Sequence, residues 1–111
     1  MQIGQMVRQG DVLLMKVAGL PENIRRHEPE NGRLVVECGE ATGHAHVLNP
    51  TTVEGYDILS AAGGIVGQAF SVVAPTPLVH DEHAAIILEP GIYERWYQVE
   101  DDGASEQRVH D

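Results

Sequence analysis

Apolar residues in this chain come in short blocks, each closed by a turn signal after about eight to twelve positions. That spacing is too short for self-packing helices and suits strands, so it narrows the fold to an all-β domain. The best strand candidates are residues 11–18 (DVLLMKVA), 33–39 (RLVVECG), 56–61 (YDILSA), 65–74 (IVGQAFSVVA), 84–89 (AAIILE) and 91–100 (GIYERWYQVE). No amphipathic helix longer than two turns can be drawn. Residues 19–32 are polar, contain two prolines and end on Asn31-Gly32, so they read as a loop with room for one helical turn. Gly63-Gly64 and Pro75-Thr76-Pro77 mark further breaks, and Pro90-Gly91 a tight turn.

Six to nine short strands in about 100 ordered residues imply a small barrel or a two-sheet jelly roll, both of which limit exposed sheet edges. At 111 residues the chain forms one domain, 1–111. Its last segment, 101–111 (DDGASEQRVHD), is charged and lacks apolar periodicity; it is expected to be a mobile tail unless a partner subunit orders it. Burial of sheet edges between subunits would serve a fold of this size, so a homodimer or other homo-oligomer is expected.

Charge excludes some partners. Seven Lys and Arg against 17 Asp and Glu give a formal charge of -10, which repels phosphate backbones at long range, so no nucleic acid partner is expected. No apolar run approaches the ~20 residues of a membrane helix, and residues 1–14 lack the order of a secretory signal. The expectation is a cytoplasmic protein with no membrane partner. Cys38 stands alone and forms no internal disulfide.

Against this background the histidines stand out. Four of six fall in two four-residue windows, His44/His46 and His80/His83. Side chains alternate along a strand, so Thr42, His44, His46 and Leu48 share one face while Gly43, Ala45 and Val47 share the other. The two imidazoles are then roughly 6.5–7 Å apart at Cα, within reach of a single ion with nitrogens at ~2.1 Å. His80 and His83 are three apart and need a bend to face the same way. A two-residue hairpin turn at Asp81-Glu82 would make them a cross-strand pair, and a helical turn would also join them. Without a bend, Leu78, His80 and Glu82 share a face. The constellation points to one divalent transition metal held by His44, His46, His80 and His83, with Glu82 or Asp81 as an oxygen donor. Imidazole-rich sites suit Zn, Fe, Ni, Cu or Mn without distinguishing among them. The competing reading makes these histidines surface or hydrogen-bonding groups.

The segment GEATGHAH (39–46) resembles the first half of a cupin motif, where a glycine precedes an H-x-H pair on a barrel strand, and LEPGIYE (88–94) resembles the proline-glycine turn that opens the second. The resemblance implies a jelly-roll barrel with a metal held by the H-x-H pair, a following glutamate and a later histidine. Here the nearest glutamate, Glu54, comes several residues late, and Glu94 stands about where that later histidine would be. The chain also resembles a group of short bacterial and phage proteins carrying H-x-H and then L-x-H-x-E-H, for which no activity is implied.

Three function classes follow. The first is a metalloenzyme acting on a small molecule, hydrolytic with Zn or oxygen-using with Fe(II), with Glu82 as the catalytic base. The second is a structural ion tying hairpins of a small core. The third is a non-catalytic accessory or assembly protein with incidental histidines. Among other residues, Cys38 reads as a buried strand thiol. Tyr93, Trp96 and Tyr97 read as core or subunit interface, and Arg95 and Arg108 as salt-bridge partners. His27 and His110 read as solvated. Gly63, Gly64 and Gly67 lack the lysine and helix of a phosphate loop.

Overall fold

The computed structural model describes residues 2–36, 45–101 and 106–109, the stretches 98–101 and 106–109 by backbone course alone. Among them every regular element is a strand: β1 (Met6–Gln9), β2 (Val12–Val17), β3 (Ile24–His27), β4 (Leu34–Val36), β5 (His46–Leu48), β6 (Val53–Leu59), β7 (Ile65–Val72), β8 (Thr76–Leu78), β9 (Ile86–Leu88), β10 (Gly91–Trp96), β11 (Gln98–Asp101) and β12 (Glu106–Val109). The all-β expectation holds, with twelve short strands rather than six to nine.

Six of them form one antiparallel sheet in the order β1-β2-β10-β7-β6-β3. Strand β7 lies near its middle and has its residues 67–70 buried on both faces, in keeping with the least polar of the sequence blocks. A second layer is made from two short pairs, β4-β5 and β8-β9, joined where Val47 and Val79 exchange backbone hydrogen bonds of 2.9 and 3.0 Å. That junction is no longer because Pro77, two residues before Val79, has no N–H to offer toward β5. The two layers share one core: Val7, Val12, Leu14, Val53, Phe70, Val72 and Tyr93 from the large sheet meet Leu34, Val36, Leu48, Leu78 and Leu88 from the second layer. Gly55 permits this approach, since a Cβ there would lie 2.8 Å from the Leu34 side chain.

The described strands do not close into a barrel; β1 and β3 remain as edges of the large sheet, so the two-layer alternative is the one realised. Strand β3 occupies the segment read from sequence as a loop. Its two prolines, Pro21 and Pro29, flank the strand rather than interrupt it. Its polar composition is that of a protected edge: Arg26 pairs with Glu54 at 3.2 Å, while Arg25 and His27 reach Asp57 at 3.3 and 3.1 Å. Strand β1 was also absent from the sequence reading. In the charged tail, β12 pairs antiparallel with β11, which leads into the tail and ends at Asp101.

Candidate functional site

Along β5 the alternation places His46 and Leu48 toward the core, and His46 is 3 % exposed. On the far side of the Val47–Val79 junction the chain leaves β8 at Leu78 and does not re-enter a strand until Ile86. The connection bends at residues 81–83 and carries both His80, half-buried, and His83, exposed. It is therefore longer than the two-residue hairpin considered from the sequence, and the bend alone brings the two rings together. His80 lies 4.3 Å from His46 and 4.7 Å from His83, ring centre to ring centre, tilted by 34° and 39°; His46 and His83 are 6.3 Å apart and nearly parallel. Three of the four histidines singled out by spacing thus gather in one place. His44 lies outside the described residues, as does Cys38.

The turn between β1 and β2 forms another wall. Gln9, 2 % exposed, accepts from His46 Nδ1 at 2.9 Å through Oε1, and its Nε2 donates to the carbonyls of Leu78 at 2.8 Å and Ala84 at 2.9 Å. Gly10 has φ +57°, and a Cβ there would stand 2.6 Å from His83 Nε2. Sequence reasoning missed these two positions. The available signal was a glutamine at an inward strand position, two residues after the core residue Val7.

Burial is the first cause holding the His46 imidazole down to a pKa of about 4. Positive charge on His80, His83 and Arg95 adds to it, and Asp11 opposes it. His46 is thus neutral at physiological pH. The backbone N–H of Glu82 donates to His80 Nδ1 at 3.0 Å, which leaves the ring proton of neutral His80 on Nε2. The Glu82 side chain is exposed.

The residues that the cupin resemblance implies sit elsewhere. Glu54 is exposed on the outer face of β6 and pairs with Arg26. Glu94, on the outer face of β10, accepts from Trp96 Nε1 at 2.9 Å. Tyr93 is wholly buried in the core, and Arg95, 2 % exposed, lies 5.4 Å from the Tyr97 ring centre. His27, expected to be solvated, is partly buried against Asp57. A groove of about 700 Å³ runs along the opposite face of β5 and β8, floored by Val47, Pro77 and Val79 with Arg33 and Asp81 beside them, so His46 does not open into it.

A nitrogen ~2.1 Å from a metal ion puts each ring centre about 3.2 Å from it, so ligands at about 90–110° lie about 4.5–5.3 Å apart, centre to centre. Two of the three separations are close to that range, and the His46–His83 pair is wider by about 1 Å. In this arrangement the close pairs pack tilted against one another, and among the described residues no three His, Cys, Asp or Glu side chains are placed to hold an ion. The imidazole donors suit a transition metal in kind; coordination would require the rings to turn and the His46–His83 pair to close by about 1 Å.

The family profile of DUF8820, a domain of unknown function, matches residues 8–98. The chain belongs to that family. Neither curated proteins nor solved structures gave a match. No helix among the described residues is long and apolar enough to cross a membrane.

Proposed function

We propose that this protein is a small cytoplasmic metal-binding β-domain in which His46, His80 and His83, with His44, hold one divalent transition metal. The observation that supports it is the gathering of three imidazoles, His46 with two that follow it 34 and 37 residues later, two of the three pairs at near-ligand separations. Coordination by His80 through Nε2 requires its proton to leave that nitrogen and the Glu82 N–H contact to open, a cost of about 1 kcal/mol that a metal–ligand bond exceeds. Zinc bound there would supply Lewis acidity for hydrolysis, and Fe(II) would supply oxygen chemistry, in either case toward a small molecule. The chain's own contribution is to hold His46 neutral, and the proposal gives the part of base to Glu82, whose backbone N–H bonds His80 and whose side chain is exposed. Exposed Met6 and Trp96 on the outer face of the large sheet support a homo-oligomer.

The ring-on-ring contact of His46 and His80 at 4.3 Å favours a second reading, in which the histidines pack against one another in a non-catalytic accessory protein. Metal analysis of protein purified without a histidine tag separates the two. The first reading expects about one equivalent of metal, lost together in His44→Ala, His46→Ala and His80→Ala and kept in His27→Ala, whose ring is tied to Asp57. A metal content near zero after growth and purification with added Zn, Fe or Ni leaves the second. If metal is present, a large fall in melting temperature on chelation marks a structural ion.

A further inference from the structure

The geometry points to Gln9 as the positioning residue of the histidine cluster: it fixes which nitrogen of His46 carries the proton, and it ties down both ends of the loop that bears His80 and His83. Both amide hydrogens of Gln9 are committed to carbonyl oxygens, Leu78 O at 2.8 Å and Ala84 O at 2.9 Å, and a carbonyl can only accept. The amide therefore has one orientation, with Oε1 toward His46 Nδ1 at 2.9 Å. An amide oxygen can only accept, so Nδ1 of His46 is the donor and carries the hydrogen. In the neutral ring the remaining lone pair is on Nε2. Gln9 thus gives His46 the hydrogen-bonded back side by which metal-binding histidines are oriented.

The same amide holds the loop. Leu78 precedes His80 by two residues and Ala84 follows His83 by one, so the two carbonyls on Gln9 bracket both histidines. One side chain from β1, 2 % exposed, links the strand carrying one histidine to the loop carrying two others. A solely structural glutamine would satisfy buried carbonyls; this one also sets the tautomer of a particular ring.

Its role toward a metal rests on the function proposed above, but its effect on the ring does not. The test combines imidazole ¹⁵N NMR of the metal-free protein near pH 8 with zinc titration, on wild type, Gln9→Met and Gln9→Glu. In wild type the His46 signals should report a protonated Nδ1 and a bare Nε2. Gln9→Met, which neither accepts from the ring nor donates to the loop, should shift His46 toward the Nε2–H form and weaken zinc binding 10–100-fold. Gln9→Glu separates the two functions: its carboxylate still accepts from Nδ1, keeping the tautomer, but cannot donate to Leu78 and Ala84, so the His80 and His83 resonances should move. A wild-type His46 protonated on Nε2 overturns the inference without any variant, and so does a Gln9→Met protein with the wild-type tautomer. Wild type that binds no zinc removes the proposed function, and the tautomer measurements still decide the part played by Gln9.

Discussion

Replacing Gly10 with alanine perturbs the cluster from outside. The substitution has two separable costs. At φ +57° an L side chain sits in the left-handed region, which costs roughly 1–2 kcal/mol. The new methyl would also stand 2.6 Å from His83 Nε2, against about 3.4 Å for an ordinary contact, so the ring must withdraw by about 0.8 Å. His83 is exposed and can yield, so this second cost falls on the position of the ring more than on stability. Gly32→Ala is the matched control: Gly32 has φ +72° with nothing within 4 Å of its Cβ position. Both variants should lose roughly 1–2 kcal/mol in urea unfolding of the metal-free protein. Only Gly10→Ala should weaken zinc binding in calorimetric titration, by about 10–100-fold. Equal zinc affinities for the two variants would refute the reasoning, as would wild-type stability for Gly10→Ala.

Acid should destabilise the metal-free protein through His46: its folded pKa of about 4 lies below the ordinary 6.5, so the unfolded chain takes up the proton first. The stability is complete above pH ~6.5 and is lost as pH falls toward about 4. Screening of the exposed neighbours limits the loss to on the order of 1–2 kcal/mol, and a His46→Gln variant should lack it in urea melts across that range. Leu48→Ala, at a wholly buried position, should cost about 2–5 kcal/mol in chemical unfolding, while Val47→Ala on the outer face of the same strand should cost about 1 kcal/mol or less. Thr76→Val removes a hydroxyl that bonds Thr52 at 2.6 Å and the Ala74 carbonyl at 2.8 Å, and should cost about 1–3 kcal/mol in the same assay.

The strand-forming blocks were legible because their apolar alternation is a local property. Strands β2, β4, β6, β7, β9 and β10 each overlap a segment chosen on that basis. Strand β3 was hidden for a physical reason: an edge strand carries charge to discourage further pairing, and Ile24-Arg25-Arg26-His27 looks like loop until Glu54 and Asp57 are seen opposite it. In the site, spacing singled out His46, His80 and His83, and a single bend joins the last two; their meeting with His46 comes from the Val47–Val79 junction, which is a long-range pairing. Gln9 could not be found the same way. Its partners are 37, 69 and 75 residues distant, and its place two residues after Val7 marks an inward side chain but not an engaged amide. The hairpin considered at Asp81-Glu82 failed because that dipeptide lacks the residues that a two-residue turn demands, and the chain uses a longer connection.

The short junction between β5 and β8 has a mechanical consequence. His46 rides on one hairpin of the second layer and His80 on the other, and two backbone hydrogen bonds form the seam between them. That seam contributes only about 1–3 kcal/mol, so the two pairs are held to each other chiefly by Leu48, Leu78 and Leu88 in the shared core and by Gln9, which bonds His46 on one side and the Leu78 and Ala84 carbonyls on the other. The distance between the rings is thereby governed by side-chain packing and one buried amide rather than by a continuous backbone ladder.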